Sequence, residues 1–244
     1  MALERLLVFQ HLDVEHPGLF REFFAEDGIR WDVVELDAGE PIPDLDPYDA
    51  LWAMGGPMDV WEEDAYPWLV EEKAAIRYAV LEKKMPFVGI CLGHQLLAAA
   101  LGGDVGPNES PEVGVMDICL TPPGMASGFF SGFPETLPCL QWHSSAVKTV
   151  PGDLEVLATS ELCAVQAMSM GNHAITAQFH IEITADTIAE WDAVPAYHEA
   201  LLETLGADAM HDFERAVTER LNVFRGYARA FYENWKREAF FLDP

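Results

Sequence analysis

A chain of 244 residues, 50% hydrophobic and 11% aromatic, is long enough to bury a sizeable core and too apolar to be mostly disordered. Its formal net charge of −27, from 14 basic and 41 acidic side chains, repels phosphate backbones and anionic lipid and so argues against nucleic-acid and membrane partners. No apolar run reaches ~18 residues, and the start Met1-Ala2-Leu3-Glu4-Arg5 lacks a signal-peptide pattern, so a cytoplasmic location is expected.

Short apolar runs bounded by turn residues recur from the start. Residues 6–9, 31–36, 48–53 and 87–90 read as buried strands. Helical stretches lie between them. Residues 17–24 form one, with Pro17 suited to a first helical turn. Residues 68–83 form another, with Leu69, Ala75, Ile76, Ala79 and Val80 near the ~3.6-residue period. Strands alternating with helices predict βαβ units on a parallel sheet. Residues 104–180 are richer in strands, at 115–120, 140–142, 154–158, 164–168 and 174–179, with turns at 122–124 and 151–152. That part predicts an antiparallel section in a mixed sheet.

After Thr184 the pattern is helical. Phe213, Val217, Leu221, Phe224, Ala228, Phe231 and Trp235 follow one another at three- and four-residue spacing, which predicts one long helix with a single apolar stripe. The stripe must pack on its own domain or on a second copy of the chain in a homo-oligomer. Residues 211–244 hold six basic and six acidic side chains, so the whole net charge lies in residues 1–210. The polar face of this helix therefore suits an acidic body or an acidic partner.

The chemistry concentrates at residues 85–103. An apolar strand ends at Ile90, and a helix-forming run starts at Leu92 and stops at Gly102-Gly103, where glycine takes a left-handed C-cap without strain. Gly89-Ile90-Cys91-Leu92-Gly93 fits the Gly-x-nucleophile-x-Gly elbow, in which a sharp strand-to-helix turn lifts the nucleophile off the sheet. The helix N-terminus stabilises negative charge placed there. A cysteine nucleophile needs a base and a group that orients the base. His180 and Glu182 lie two residues apart at the end of a predicted strand, where alternate side chains point the same way. Cys119, Cys139 and Cys163 lack any comparable setting, and the cysteine spacing suits neither a zinc site nor a disulfide framework.

Five motifs, in order, carry a resemblance to the class I (triad) glutamine amidotransferases, especially stand-alone proteins similar to the glutaminase domain of GMP synthetase. Met54-Gly55-Gly56-Pro57 resembles the glycine-rich oxyanion loop, and Gly89 to Gln95 the nucleophile motif. Pro111-Glu112-Val113-Gly114 resembles a substrate-pocket segment, Gln141-Trp142-His143 the Trp-His segment, and Gln178-Phe179-His180-Ile181-Glu182 the final motif. The resemblance implies an α/β three-layer sandwich of flavodoxin-like type, with a mostly parallel central sheet. The catalytic core would span about 1–185 and a helical extension about 186–244, within one domain. It implies a Cys91-His180-Glu182 triad, an oxyanion hole from the N–H groups of Gly56 and Leu92, and a glutamine pocket shaped by Gln95 and Glu112. No cofactor or metal is implied. His94 and His143 read as supporting residues, and Trp52, Trp61, Trp68 and Trp142 as core or pocket wall.

Two departures stand out. Ile181 replaces the usual proline between His180 and Glu182, which removes a fixed φ from the motif. Ser144-Ser145 follows His143 where GMP synthetase domains have Gly-Asp, which bears on docking to a synthetase. The chain carries neither an SGGxDS-type pyrophosphatase motif nor a P-loop, so ammonia would pass to a partner synthetase or be released. The expected activity is hydrolysis of the glutamine γ-amide. The alternatives are a γ-glutamyl peptidase with the same triad, and a non-catalytic regulatory protein of the same fold.

Overall fold

The computed structural model describes residues 3–206 and 210–241. In chain order these form β1 (Arg5–Gln10), α1 (Phe20–Glu26), β2 (Arg30–Glu35), β3 (Ala50–Ala53), α2 (Trp68–Arg77) extended by a π-helical turn (Tyr78–Glu82), β4 (Phe87–Ile90) and α3 (Leu92–Ala100). Then follow β5 (Asp104–Leu120), α4 (Pro122–Ala126), β6 (Thr136–Thr149), β7 (Glu155–Thr159), β8 (Ala167–Met170), β9 (Ala174–Ala177), α5 (Thr187–Asp192), α6 (Pro195–Leu205), α7 (Met210–Thr218) and α8 (Leu221–Lys236).

The strands make one mixed sheet in the order β2-β1-β3-β4-β9-β8-β7-β5-β6. From β2 to β9 neighbours run parallel, and from β9 to β6 they run antiparallel. Strands β3, β4 and β9 are buried along their whole length, as parallel strands covered on both faces must be. Helices α1 and α8 cover one face, where Phe20, Phe24 and Trp235 meet Trp52 edge-on. Helices α2 and α3 cover the other with Leu69, Ile76, Leu96 and Leu97. The antiparallel end curls back, so that Leu140 of β6 bridges to His180 just beyond β9.

The stripe from Phe213 to Trp235 lies on two helices, not one. Arg220, at φ −111° and ψ 0°, departs from helical geometry between α7 and α8. The short break keeps the apolar phase but aims the halves at different targets. Phe213, Val217 and Phe224 join Trp142, Trp191 and Ile183, while Ala228, Phe231 and Trp235 pack over α1 and Trp52. The polar face of α8 meets acidic residues of α1, as the charge partition suggested: Arg225 pairs with Glu22 at 2.7 Å, Lys236 with Asp27 at 2.5 Å, and Arg229 with Glu26. The expected turn at 122–124 is instead the start of α4. Proline suits a first helical turn, and the Thr121 hydroxyl caps it by accepting the Gly124 N–H at 3.0 Å.

The C-terminal ends of β1, β3, β4 and β9 are neighbours in the sheet, so the loops that leave them share one edge. In open α/β sheets that edge is where ligands bind.

Candidate active site

Strand β4 delivers Cys91 directly to the head of α3. Its backbone sits at φ +51° and ψ −101°, a region that side-chain-bearing residues rarely adopt and that costs about 1–3 kcal/mol. The surroundings impose it. The Cys91 N–H bonds the Ala177 carbonyl of β9 at 2.8 Å, and the Gly93 N–H bonds the Met54 carbonyl at 3.0 Å. A Cβ on Gly93 would stand 2.1 Å from the Ala53 carbonyl oxygen, so only glycine lets α3 lie this close to β3. The elbow legible in the sequence is therefore present, strain included.

Strand β9 runs beside β4 and ends three residues before His180. The His180 N–H bonds the Leu140 carbonyl at 2.8 Å, and His180 Nδ1 lies 2.6 Å from Glu182 Oε1. Both side chains are buried. Burial pushes the imidazole toward its neutral form. The Glu182 charge, with hydrogen bonds to Cys91 and Glu182, outweighs burial and holds the His180 pKa well above its ordinary value. The Ile181 N–H donates to the other carboxylate oxygen, Oε2, at 2.9 Å. A proline at 181 has no N–H to give, so the departure from the usual motif adds a bond to Glu182. The Glu182 carbonyl is pinned in turn by the Leu19 N–H at 2.6 Å, across Gly18 at φ +50°.

A cavity of about 230 Å³ opens on Cys91. Gly56 lines it, and a Cβ there would come within 2.9 Å of Leu92 Cδ2 and 3.0 Å of His11 Cβ. Leu92 is the first residue of α3, so its N–H has no carbonyl one turn earlier in the helix to bond. The two expected oxyanion residues are thus adjacent, beside the thiol. Gln95 also lines the cavity. Its Nε2 donates to the Ser145 carbonyl at 3.1 Å and to Gln178 Oε1 at 3.0 Å, and Gln178 Nε2 in turn lies 3.5 Å from Cys91 Sγ. Glu112 departs from expectation. It is not among the lining residues and is fully buried, accepting from Ser160 Oγ at 2.6 Å and Gln166 Nε2 at 2.8 Å. Its strand pairs it opposite His143, so its carboxylate sits behind the wall that His143 presents to the cavity.

Residues 20–189 match the family described as Glutamine amidotransferase class-I. The chain belongs to this family. Among its relatives, γ-glutamyl peptidase 5 of Arabidopsis thaliana is 30% identical over 183 residues, 72% of each chain. One subunit of the glutamine-hydrolyzing GMP synthase of Saccharolobus solfataricus is 32% identical over 153 residues, 62% of this chain and 77% of its own. A crystal structure of a glutamine amidotransferase from Thermotoga maritima superposes with a TM-score of 0.86 at 29% identity, covering 98% of this chain and 100% of that one. The relatives thus include amide hydrolases and amidotransferases. Among the described residues, no helix is long and apolar enough to cross a membrane.

This member of the class-I glutamine amidotransferase family surrounds the elbow with residues that the sequence motifs did not single out. His11, just past β1, is buried between the Gly55 carbonyl, 2.7 Å from Nδ1, and Glu72 Oε1, 2.9 Å from Nε2. Burial disfavours its charge, but Glu72 and the two hydrogen bonds prevail and raise its pKa. His11 therefore clamps the glycine loop through the Gly55 carbonyl. Glu15 follows on the same loop. Burial raises its pKa against the pull of His180, and it accepts the Tyr197 hydroxyl. Tyr197, Ala200, Glu203 and Thr204 of α6 line the cavity opposite Cys91, which brings the helical stretch after residue 185 onto the site. Trp191 of α5 meets the His180 ring edge-on at 4.8 Å. His11 and Glu15 carry one usable signal, their place just after a parallel strand. Tyr197 and Trp191 carry none, because nothing in a helical pattern says which face meets a distant loop.

Proposed function

We propose that this protein hydrolyses γ-glutamyl amide bonds through a thioester on Cys91, with glutamine as the simplest substrate. The observation that carries the reading is the strained elbow: Cys91, at φ +51°, lies on a cavity and close enough to His180 to favour the imidazole's charge, and His180 is held 2.6 Å from Glu182. Cys91 Sγ attacks the γ-carbonyl carbon while His180 takes the thiol proton. The Gly56 and Leu92 N–H groups receive the oxyanion, where one donor is typically worth about 3 kcal/mol of barrier. His180 then protonates the leaving nitrogen, the C–N bond breaks, and ammonia departs. Water, deprotonated by His180, cleaves the thioester to glutamate and restores the thiol. Glu182 fixes the imidazole so that Nε2 serves the reaction. The helices after residue 186 belong to the same catalytic unit, since α6 walls the cavity and α8 covers Trp52.

One observation favours a second reading, in which the leaving group is an amino acid or peptide. The cavity continues past Cys91 along α6 to Glu203 and Thr204, room that an ammonia leaving group does not use. The peptidase relative is consistent with it. Either product is ammonia or an amine, so one screen addresses both. Purified protein is given glutamine and γ-glutamyl dipeptides, and ammonia and free amine are measured. Release that vanishes in Cys91→Ala supports the reading, and the preferred substrate assigns the leaving group. No release from any γ-glutamyl compound, or release that survives Cys91→Ala, overturns it.

A further inference from the structure

We propose that Glu112, His143 and Cys163 form a binding site for a divalent metal ion of the zinc type. The three come from β5, from β6 and from the turn between β7 and β8. All three are buried, and their donor atoms lie within 4.8 Å of one another. The proposal stands apart from the Cys91 chemistry, which uses none of them.

The hydrogen inventory points to a cation. His143 Nδ1 lies 3.0 Å from the Ser145 carbonyl, an oxygen that can only accept, so Nδ1 carries the proton. Nε2 is then the ring atom left to hold a metal ion or a second proton. That atom is buried without a hydrogen-bond partner. It faces the acceptor Glu112 Oε2 at 3.0 Å. A buried carboxylate held against an imidazole nitrogen, shielded from water, needs a positive charge at that spot. A metal ion supplies it, and the Cys163 sulfur, whose thiol donates to the Val165 carbonyl at 3.3 Å, lies within 4.8 Å as a third donor.

The donor set is one sulfur, one nitrogen and one oxygen, which suits zinc and not magnesium or calcium. Zinc bonds of ~2.0–2.3 Å place neighbouring tetrahedral ligands roughly 3.3–3.6 Å apart. His143 and Glu112, 3.0 Å apart, are already near that spacing, and the Cys163 sulfur, within 4.8 Å of both, closes in to reach it. Outer hydrogen bonds are in place as metal sites require: Ser145 O holds the His143 ring, and Ser160 and Gln166 hold the Glu112 carboxylate. Binding releases the Cys163 proton to solvent. The ion would tie three elements of the antiparallel half together behind the Trp142–His143 wall of the cavity. Cysteine spacing predicted no zinc site because the donors stand at 112, 143 and 163 and only the fold brings them together.

The test uses the full chain carrying Cys91→Ala, so that the elbow thiol does not compete, with Co²⁺ and Zn²⁺ as probes. One Co²⁺ per chain should bind with a near-ultraviolet thiolate-to-cobalt charge-transfer band that Zn²⁺ bleaches, and Zn²⁺ should raise Tm. Adding Cys163→Ser should abolish both the band and the zinc-dependent shift. Should that variant not fold, Glu112→Gln, which leaves every remaining thiol intact, should weaken cobalt binding at least tenfold. No band and no zinc-dependent shift in the folded Cys91→Ala chain would overturn the proposal and leave His143 as a cation paired with Glu112. A band that survives Cys163→Ser, or an unchanged affinity in Glu112→Gln, would overturn it as well.

Discussion

The wall of the cavity that bears Cys91 is built from consecutive residues at the junction of β4 and α3, whereas the facing wall, from Ala196 to Thr204 of α6, arrives more than a hundred residues later in the chain. The first is held by backbone: the Cys91 and Gly93 N–H groups are bonded to neighbouring strand and loop carbonyls, and glycine permits the close approach. The second is held by side chains. The Tyr197 hydroxyl reaches Glu15, and the rings of Tyr197, Trp142 and Trp191 pack together. A backbone-held wall fixes the reacting atoms to within fractions of an ångström. A side-chain-held wall shapes the space that a substrate enters. The contrast predicts that elbow-side changes destroy turnover and that α6-side changes shift substrate affinity.

The largest expected effect is at the nucleophile. Cys91→Ala should lower turnover by roughly 10⁶-fold with the fold intact, and a glutamine-like diazo-ketone should label Cys91 and none of the other three thiols. Peptide mapping of the adduct checks this. Next, Glu182→Gln should cost roughly 10⁴-fold in kcat while Cys91 remains alkylable. Its pH profile carries a sign. His180 must be neutral to take the thiol proton and its native pKa stands above the ordinary ~6.5, so the acid limb of the profile should be displaced upward. Without the Glu182 charge, burial dominates and the limb should move to lower pH. A limb that stays in place would mean another acid orients the ring.

Three smaller effects sharpen the contrast. Trp235→Ala empties a fully buried site on the face of the sheet that α8 covers and should cost about 3–5 kcal/mol in unfolding free energy, with kcat per folded molecule unchanged. Denaturant titration beside an activity assay separates the two. Tyr197→Phe leaves the buried Glu15 carboxylate without its donor, a loss of about 1–3 kcal/mol, and should raise KM several-fold with little change in kcat. A fall confined to kcat would place Tyr197 in the chemistry and erase the distinction between the walls. Ile181→Pro deletes the N–H bond to Glu182 Oε2 and should reduce kcat by no more than about tenfold, since the 2.6 Å bond from His180 remains.

What the sequence disclosed follows the same division. The β4–Cys91–α3 elbow, the His180-x-Glu182 pair and the Met54-Gly55-Gly56-Pro57 loop are short, contiguous patterns, and each stands where its pattern placed it. Local periodicity also located the parallel strands and the helices on both faces. Contacts between distant segments were not legible. The stripe from Phe213 to Trp235 read as one helix because a two-residue break barely disturbs the apolar phase. Glu112 read as pocket because its motif adjoins the pocket, yet its strand register turns the carboxylate behind His143. His11 and Glu72 form a buried pair that steadies the glycine loop across 61 positions of sequence, which no local pattern reports.

The most direct test of the thioester on Cys91 is acid-quench mass spectrometry during turnover. Protein mixed with glutamine or a γ-glutamyl dipeptide, quenched in acid and digested should show one glutamyl group on the peptide containing Cys91. The adduct should be absent in Cys91→Ala. Turnover with no acyl group on Cys91 under any quench time, or a glutamyl adduct mapped to another residue, would contradict the account.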